Sequence, residues 1–315
     1  MSGIDLLFRT AIDYERTHQL ALFTLLSKSS LPSYLVGVNA PQEILWEPER
    51  QLFDLGVVNN GHTTYLELKM WSGLSDSQRK RQIDYLTSKQ CTGYYVLLGT
   101  SWFEHSSTNI ERYSGGVVKK IGYEELINAL NQLLVTTGQS PEVYELALAY
   151  RNAVQEQHDS LKNAFTKGEG GKPFFYSLYW EIQKRLTGIE TAIYTVNNPG
   201  GPVYILNCSN CWLPFSMGDI SGELYYEVVN GRLCIKFYSE ASTDDKYMIR
   251  KRIRSATRKV LGNKYKIVDS GRLGAYMTAC QVDYDFNDIS KLDDSAKVFQ
   301  DVSNEFNSII QEITS

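Results

Sequence analysis

The sequence predicts an α/β protein, with a mixed central sheet flanked by helices and a C-terminal α+β domain after it. Three observations carry that expectation. Helix-period runs and strand-like runs alternate through residues 4 to 134. Two Asn-Gly pairs, Asn60-Gly61 and Asn230-Gly231, each lie between apolar runs, the strongest short-range sign of a hairpin. The chain has 315 residues and is 43% hydrophobic, enough for a core and for one large or two ordinary domains. The expected division is a core over residues 1–138, a connecting helix and Gly-rich loop over 139–170, and an α+β accessory domain over 171–315.

Residues 4 to 27 form a helix with one break near Asp13, its apolar face built from Leu20, Leu22, Phe23, Leu25 and Leu26. Ser29 to Ser33 is a loop. A short strand falls either within Tyr34–Val38 or within Glu43–Glu47. The first hairpin spans Phe53 to Lys69. After a loop over residues 70–73, Ser75 and Gln78 have the spacing of a capping box, starting a helix that runs to Lys89. Tyr94–Leu98 is a buried strand with its exit at Gly99. A strand over Val117–Ile121 and a helix over Tyr123–Leu134 close the first module. Pro141 suits the first position of a long helix reaching Phe165, with Ser140 as its cap. Lys167 to Pro173 is a Gly-rich loop. The second half carries a helix over Phe174–Leu186, then strands at Ala192–Val196, Val203–Asn207, Leu224–Val229 and Leu233–Tyr238. A basic helix over Lys246–Val260, a strand over Tyr276–Tyr284 and an amphipathic helix over Ser290–Ile313 follow.

The first hairpin is where chemistry is expected. With Asn60-Gly61 at the turn centre, Asn59 pairs with His62, and counting outward brings Asp54 opposite Glu67. Opposed residues share a sheet face. Lys69, two residues past Glu67, shares it too. The other face carries Phe53, Leu55, Val57, Leu66 and Leu68. Two touching carboxylates raise one another's pKa unless a cation compensates, and hard divalent ions prefer such oxygen ligands. The competing reading is a solvated hairpin face with a surface ion pair.

Asp54, a hairpin, then Glu67-Leu68-Lys69 resembles the PD-(D/E)xK nuclease superfamily. Gln82-Ile83-Asp84-Tyr85, one helix later, is similar to the Gln-x-x-Tyr motif of its RecB-like branch. Glu15, in the N-terminal helical segment, matches the extra acidic residue of many members. Phe53 stands where the family has proline. The resemblance covers residues 1 to about 130 and implies a restriction-endonuclease-like core. It implies that Asp54 and Glu67 ligate Mg²⁺ or Mn²⁺ with the Leu68 carbonyl and Glu15. It gives Lys69 the tasks of orienting or helping to deprotonate a water and stabilising charge on the phosphate. Gln82 would hydrogen-bond near that water or the substrate, and Tyr85 would brace the site, although a helix tyrosine at this spacing also suits plain packing. The implied activity is metal-dependent hydrolysis of phosphodiester bonds in nucleic acid, with DNA the expected substrate, and a homodimer is compatible with it. Two alternatives stay open: a non-catalytic nucleic-acid-binding or regulatory module on the same fold, and a hydrolase of another phosphoester such as a nucleotide.

A net charge of −4 excludes a generic polyanion binder, so contacts to nucleic acid must come from local patches. Arg79, Lys80 and Arg81 lie at the start of the Gln82 helix. Seven of the fourteen residues from Lys246 to Lys259 are basic, and Arg250, Lys251, Arg254 and Arg258 fall roughly on one side. Both sets are candidate phosphate contacts. Solvated faces are the alternative, the second balanced by acids such as Glu240, Asp244 and Asp245. No run of about 18 apolar residues marks a membrane span, and no basic-then-apolar start marks a signal peptide. The five cysteines are an odd number, which suits a reducing cytoplasm. Cys208 and Cys211 have CxxC spacing without a second pair nearby, which favours buried thiols over zinc. The four histidines show no ligand spacing, and His62 beside the turn is expected to be exposed.

Overall fold

The structure is a computed structural model and describes residues 4, 8, 10–71, 75–104, 107–168, 170–269 and 276–314. It divides into two compact units, Met1–Asn163 and Ala164–Ser315. The long helix expected as a connector therefore belongs to the first unit. Parts of the expected 4–27 helix and of the 70–73 loop lie outside the described residues.

In the first unit, helix α1 (Glu15–Lys28) follows a turn at residues 12–14, where the break was expected. It buries Ala21, Leu22, Leu25 and Leu26. Helix α2 (Leu31–Val36) replaces the expected loop and the first of the two strand options. Pro32 suits a first helical turn, and Gly37 ends the helix in the left-handed region at φ 74°. The strand takes the second option, β1 (Glu43–Trp46). Then come β2 (Leu55–Asn59), β3 (His62–Lys69), helix α3 (Asp76–Lys89) and β4 (Gly93–Leu97). Helix α4 (Ser107–Ser114), β5 (Val118–Ile121), α5 (Tyr123–Leu134) and α6 (Pro141–Lys162) complete the unit. The five strands stand in the order β1-β2-β3-β4-β5. The first three pair antiparallel and the last three parallel, so the sheet is mixed.

The β2–β3 hairpin has the register set by its turn, from Asn59 opposite His62 to Leu55 opposite Leu66. Asn60 and Gly61 take the positive φ values, 50° and 77°, that a type I′ turn requires. The ladder ends one residue short of Asp54, whose N–H donates to the Leu66 carbonyl at 3.0 Å. Asp54 is therefore not a ladder partner of Glu67. The chain also bends there, and Phe53 changes sides. Its ring stacks on Tyr65 at 4.6 Å, on the face of Glu67 and not on that of Leu55 and Leu66. With Leu86 of α3 and Tyr95 of β4 it forms a core beneath that helix. Both sheet faces are thus covered, and the acidic face is not the solvated one of the simple hairpin picture. Among the described residues no helix is long and apolar enough to cross a membrane.

The second unit is a seven-stranded antiparallel sheet with helices. Helix α7 (Gly171–Gln183) starts inside the expected Gly-rich loop and carries Pro173 in its first turn. The strands are β6 (Thr191–Asn198), β7 (Gly201–Cys208), β8 (Leu213–Met217), β9 (Ile220–Val229) and β10 (Arg232–Tyr238). Helix α8 (Thr243–Leu261), β11 (Ile267–Asp269), β12 (Tyr276–Val282) and helix α9 (Leu292–Thr314) follow. The sheet order is β11-β12-β10-β9-β7-β6, with β8 paired to β9. Asn230-Gly231 joins β9 to β10 with Val229 opposite Arg232. Strands β8 and β11 were not among the expected strands, although Gly218-Asp219, between Met217 and its partner Ile220, is a two-residue hairpin signal for β8. Tyr226 of β9 packs on Phe299 and Phe306 of α9, with centroids 5.3 and 4.8 Å away. The neighbours Tyr225 and Glu227 point to the opposite face.

Gly99 sets the geometry at the exit of β4, next to the end of β3. It has φ 52°, and an added Cβ would lie 2.5 Å from the Met70 carbonyl oxygen. Gly61 also has a positive φ, 77°, but nothing lies within 4 Å of its Cβ position. We expect Gly99→Ala to cost about 2–4 kcal/mol by strain and clash together, and Gly61→Ala about 1 kcal/mol by strain alone. Urea unfolding of both variants checks this, and equal losses would contradict the steric account.

Candidate active site

The site grows from the ends of β2 and β3. Asp54, just before β2, is fixed across the hairpin: the Leu68 N–H donates to its Oδ2 at 2.6 Å. Its backbone carbonyl accepts from the Glu47 N–H at 2.9 Å and from Gln19 Nε2 of α1 at 3.1 Å. Glu67 is 3% exposed. Lys69, one sheet step further, places Nζ 2.7 Å from Glu67 Oε1 and donates to the Leu68 carbonyl at 3.0 Å. Glu15 arrives from the first turn of α1. Its Oε1 is 3.5 Å from Lys69 Nζ, and its Oε2 accepts the Met70 N–H at 3.3 Å. Glu15, Asp54, Glu67, the Leu68 carbonyl and Lys69 are therefore brought together.

Helix α3 roofs this cluster. Ser75 caps it as expected, its Oγ accepting the Gln78 N–H at 3.2 Å. The Gln78 side chain does not reach back in a capping box; its Nε2 donates to Glu67 Oε1 at 2.6 Å. Gln82, one turn on, is fully buried and donates from Nε2 to the Leu52 carbonyl at 2.8 Å. Its Oε1 has no hydrogen-bond partner among the described residues, and neither has the buried Tyr95 hydroxyl, on the residue paired with Glu67. Tyr85 stays out of the acidic cluster. It packs edge-on to Tyr65, the two hydroxyls 3.3 Å apart, while the Tyr65 hydroxyl also donates to Glu49 at 3.1 Å. The sequence pattern assigns Gln78 only a capping role and does not single out Gln19. Gln78 was findable, since it lies four residues before Gln82 and so on the same helix face.

The electrostatics follow from one lysine among several carboxylates. Burial, then the neighbouring Asp54, raises the Glu67 carboxyl to about 7. Burial raises Asp54 as well, although the Leu68 amide and Lys69 work against it. Burial pulls Lys69 down, but Glu67 and the other acids outweigh it and leave the ammonium above its ordinary value. Asp54, Glu67 and Lys69 are thus each pushed toward holding a proton, as expected where carboxylates are buried together and outnumber the lysine.

No protein-family model, curated protein or solved structure matches this chain.

The donor set fits a hard divalent cation. Asp54, Glu67 and the Leu68 carbonyl offer oxygen, and Mg²⁺ commonly takes one or two carboxylates and keeps its waters. Among the described residues no group of three or more His, Cys, Asp or Glu side chains is placed to hold a metal ion. The candidate phosphate contacts lie apart from one another in character. Arg79 pairs with Asp76 and lies over the Tyr113 ring at 4.4 Å, while Arg81 is exposed. In α8, Arg254 and Arg258 both pair with Asp269, and Arg254 also donates to the Ala279 carbonyl at 2.7 Å. Lys259 pairs with Glu312. Asp269 and Glu312 pair with this helix, and Asp244 and Asp245 lie in its first turn. Arg250 is partly buried, and Lys251 is exposed. His62 is exposed, Cys208 and Cys211 are buried thiols, and His18 is a core residue lowered to about 4 by burial.

Because the folded protein holds a proton on Glu67 up to about pH 7 and the unfolded chain releases it near 4.5, the fold binds more protons between these values. Stability should fall as pH rises from 5 to 8, by roughly 2 kcal/mol from this group. Glu67→Gln should remove most of that slope. Urea unfolding at several pH values in 10 mM EDTA checks it, and a slope of the same size in both proteins would refute the assignment to Glu67.

Proposed function

We propose that this protein is a metal-dependent nuclease with a restriction-endonuclease-like core, acting on phosphodiester bonds of DNA. The observation that carries the reading is the convergence of Asp54, Glu67 and Lys69, joined by Glu15, at one end of β3. Asp54 and Glu67 would hold Mg²⁺ or Mn²⁺ with the Leu68 carbonyl. The ion would acidify a bound water and offset charge on the phosphate.

The chain's own residues do the rest. Gln78 fixes the Glu67 carboxylate through its Oε1 contact, and the Leu68 amide fixes Asp54. Both acids are thereby oriented before any ligand arrives. Lys69, raised in pKa and so fully charged at neutral pH, is suited to bind and stabilise a phosphate oxygen rather than to remove a proton. That choice narrows the two roles the resemblance leaves to it. Glu15 anchors the ammonium from the other side. Gln82 offers a buried carbonyl oxygen with no partner among the described residues, able to accept from a bound water. Tyr85 braces Phe53 and Tyr65 below the hairpin. Arg79 and Arg81, on α3, are basic residues that could meet the strand backbone.

A second reading, a non-catalytic nucleic-acid-binding module, has one specific observation in its favour. Asp54 Oδ2 and the Leu68 carbonyl both already have protein partners, Leu68 N–H and Lys69 Nζ. Each oxygen keeps a second lone pair, so the partners do not bar a cation.

Plasmid and single-stranded DNA incubated with Mg²⁺ or Mn²⁺ should be cut. Asp54→Ala and Lys69→Ala, folded by circular dichroism, should each lose at least a hundredfold in rate, and Tyr85→Phe should lose less than threefold. Absence of metal-dependent cutting, with salt-sensitive DNA binding retained in both variants, would favour the binding module.

A further inference from the structure

On the face of the second sheet opposite α9 lies a pocket of about 600 Å³, within the range of small-molecule sites. Strands β6, β7, β9, β10 and β12 and the residue just before β8 all contribute to its lining. Its wall is aromatic and apolar. Trp212 stacks on Tyr225 with centroids 3.9 Å apart and planes within 5°, and stands edge-on to Tyr276 at 6.2 Å. Val203 and Ile205 of β7 line it as well.

An ion pair lies among these rings. Glu227 is 2% exposed, takes Lys236 Nζ on Oε1 at 2.7 Å, and accepts the Tyr194 hydroxyl on Oε2 at 3.2 Å. Lys236 Nζ is 5.6 Å from the Tyr225 ring centroid. Nothing in the packing of the sheet requires this pair. Its partner face toward α9 is held by Tyr226, Phe299 and Phe306, and a buried ion pair is a poor source of stability compared with apolar residues of the same size. A carboxylate has about four acceptor sites and an ammonium three donors, so both groups keep hydrogen-bonding capacity after pairing.

We propose that this pocket binds a single nucleobase. The ligand must be flat, because the walls are ring faces and β-branched side chains. It must be uncharged, because the cation position beside the rings is already taken by Lys236 and the acid is already neutralised by it. It must carry an acceptor beside a donor, to meet Lys236 and Glu227 together. Nucleobases combine these three properties. Stacking of a base on aromatic side chains is moreover a strong and sequence-tolerant interaction. The base could belong to a free nucleotide or to a strand with that base unstacked; the chemistry recognised is the same. The inference stands on the second unit alone and does not rest on the nuclease reading.

The test is calorimetric titration of the full chain, without metal, with the four deoxynucleoside monophosphates and with single-stranded deoxyoligonucleotides eight residues long. Saturable one-to-one binding is expected for at least one monophosphate or for the oligonucleotide. Trp212→Ala should weaken it at least tenfold and Trp212→Phe less than threefold, since phenylalanine restores the stacking face. Glu227→Gln should change the preference among bases, which loss of fold would not do. Tighter binding of the oligonucleotide than of every monophosphate assigns the site to an unstacked base in a strand, and equal binding assigns it to a free nucleotide. No binding of either probe overturns the proposal. So does oligonucleotide binding that Trp212→Ala leaves unchanged, which would place it on surface charge. Both outcomes are independent of whether the protein cuts DNA.

Discussion

One lysine serves several acids at the end of β3, and much of the first unit is arranged around that imbalance. Lys69 reaches Glu67, Glu15 and the Leu68 carbonyl at once. Burial alone would discharge an isolated lysine. Here the surrounding carboxylates keep it charged, while burial and mutual repulsion, working against the lysine, make the protons of Glu67 and Asp54 harder to remove. The fold supplies fixed donors to limit the repulsion: the Leu68 amide on Asp54, Gln78 on Glu67 and the Met70 amide on Glu15. Three separate segments, the start of α1, the hairpin and α3, are therefore tied to one another through polar contacts with a few oxygens. A cluster built this way carries excess negative charge and oriented oxygen atoms, the two conditions under which a divalent cation displaces protons.

Much of this was legible in the sequence because it is local. The Asn60-Gly61 turn sets the register of β2 on β3, and the period of a strand then puts Glu67 and Lys69 on one face. Ser75 and Pro141 announce their helices by backbone chemistry that depends on neighbours a few residues away. The Asn230-Gly231 hairpin is legible for the same reason.

What was not legible is long-range. The bend at Asp54, which moves Phe53 to the side of Tyr65, arises because the Asp54 N–H bonds the Leu66 carbonyl and the strand pairing ends. No local pattern encodes that choice. Leu31 to Val36 has short, mixed apolar spacing that suits a strand or a helix equally, and only the Pro32 start and Gly37 stop decide it. The role of Gln78 was hidden by a better-known motif: the Ser75 capping spacing offered it a local partner, yet the buried Glu67 carboxylate is the stronger acceptor. In the basic helix, the acids that meet Arg254, Arg258 and Lys259 lie on β11 and α9, far along the chain.

The two buried acid–lysine sites differ in a way that sorts their ligands. In the first unit Lys69 faces Glu67 with Asp54 and Glu15 close by, so the charges do not cancel and negative charge is in excess. In the second unit Lys236 and Glu227 pair one to one, and the Tyr194 hydroxyl adds no charge. A further cation there would meet an ammonium, and an anion would meet a carboxylate. Aromatic rings complete the wall instead of additional acids. A balanced pair under rings has dipolar hydrogen-bonding capacity and no net charge, which selects a neutral, planar ligand with a donor beside an acceptor. The same residue types, Glu and Lys on neighbouring positions of a sheet, thus serve different chemistry according to whether a second carboxylate stands beside them.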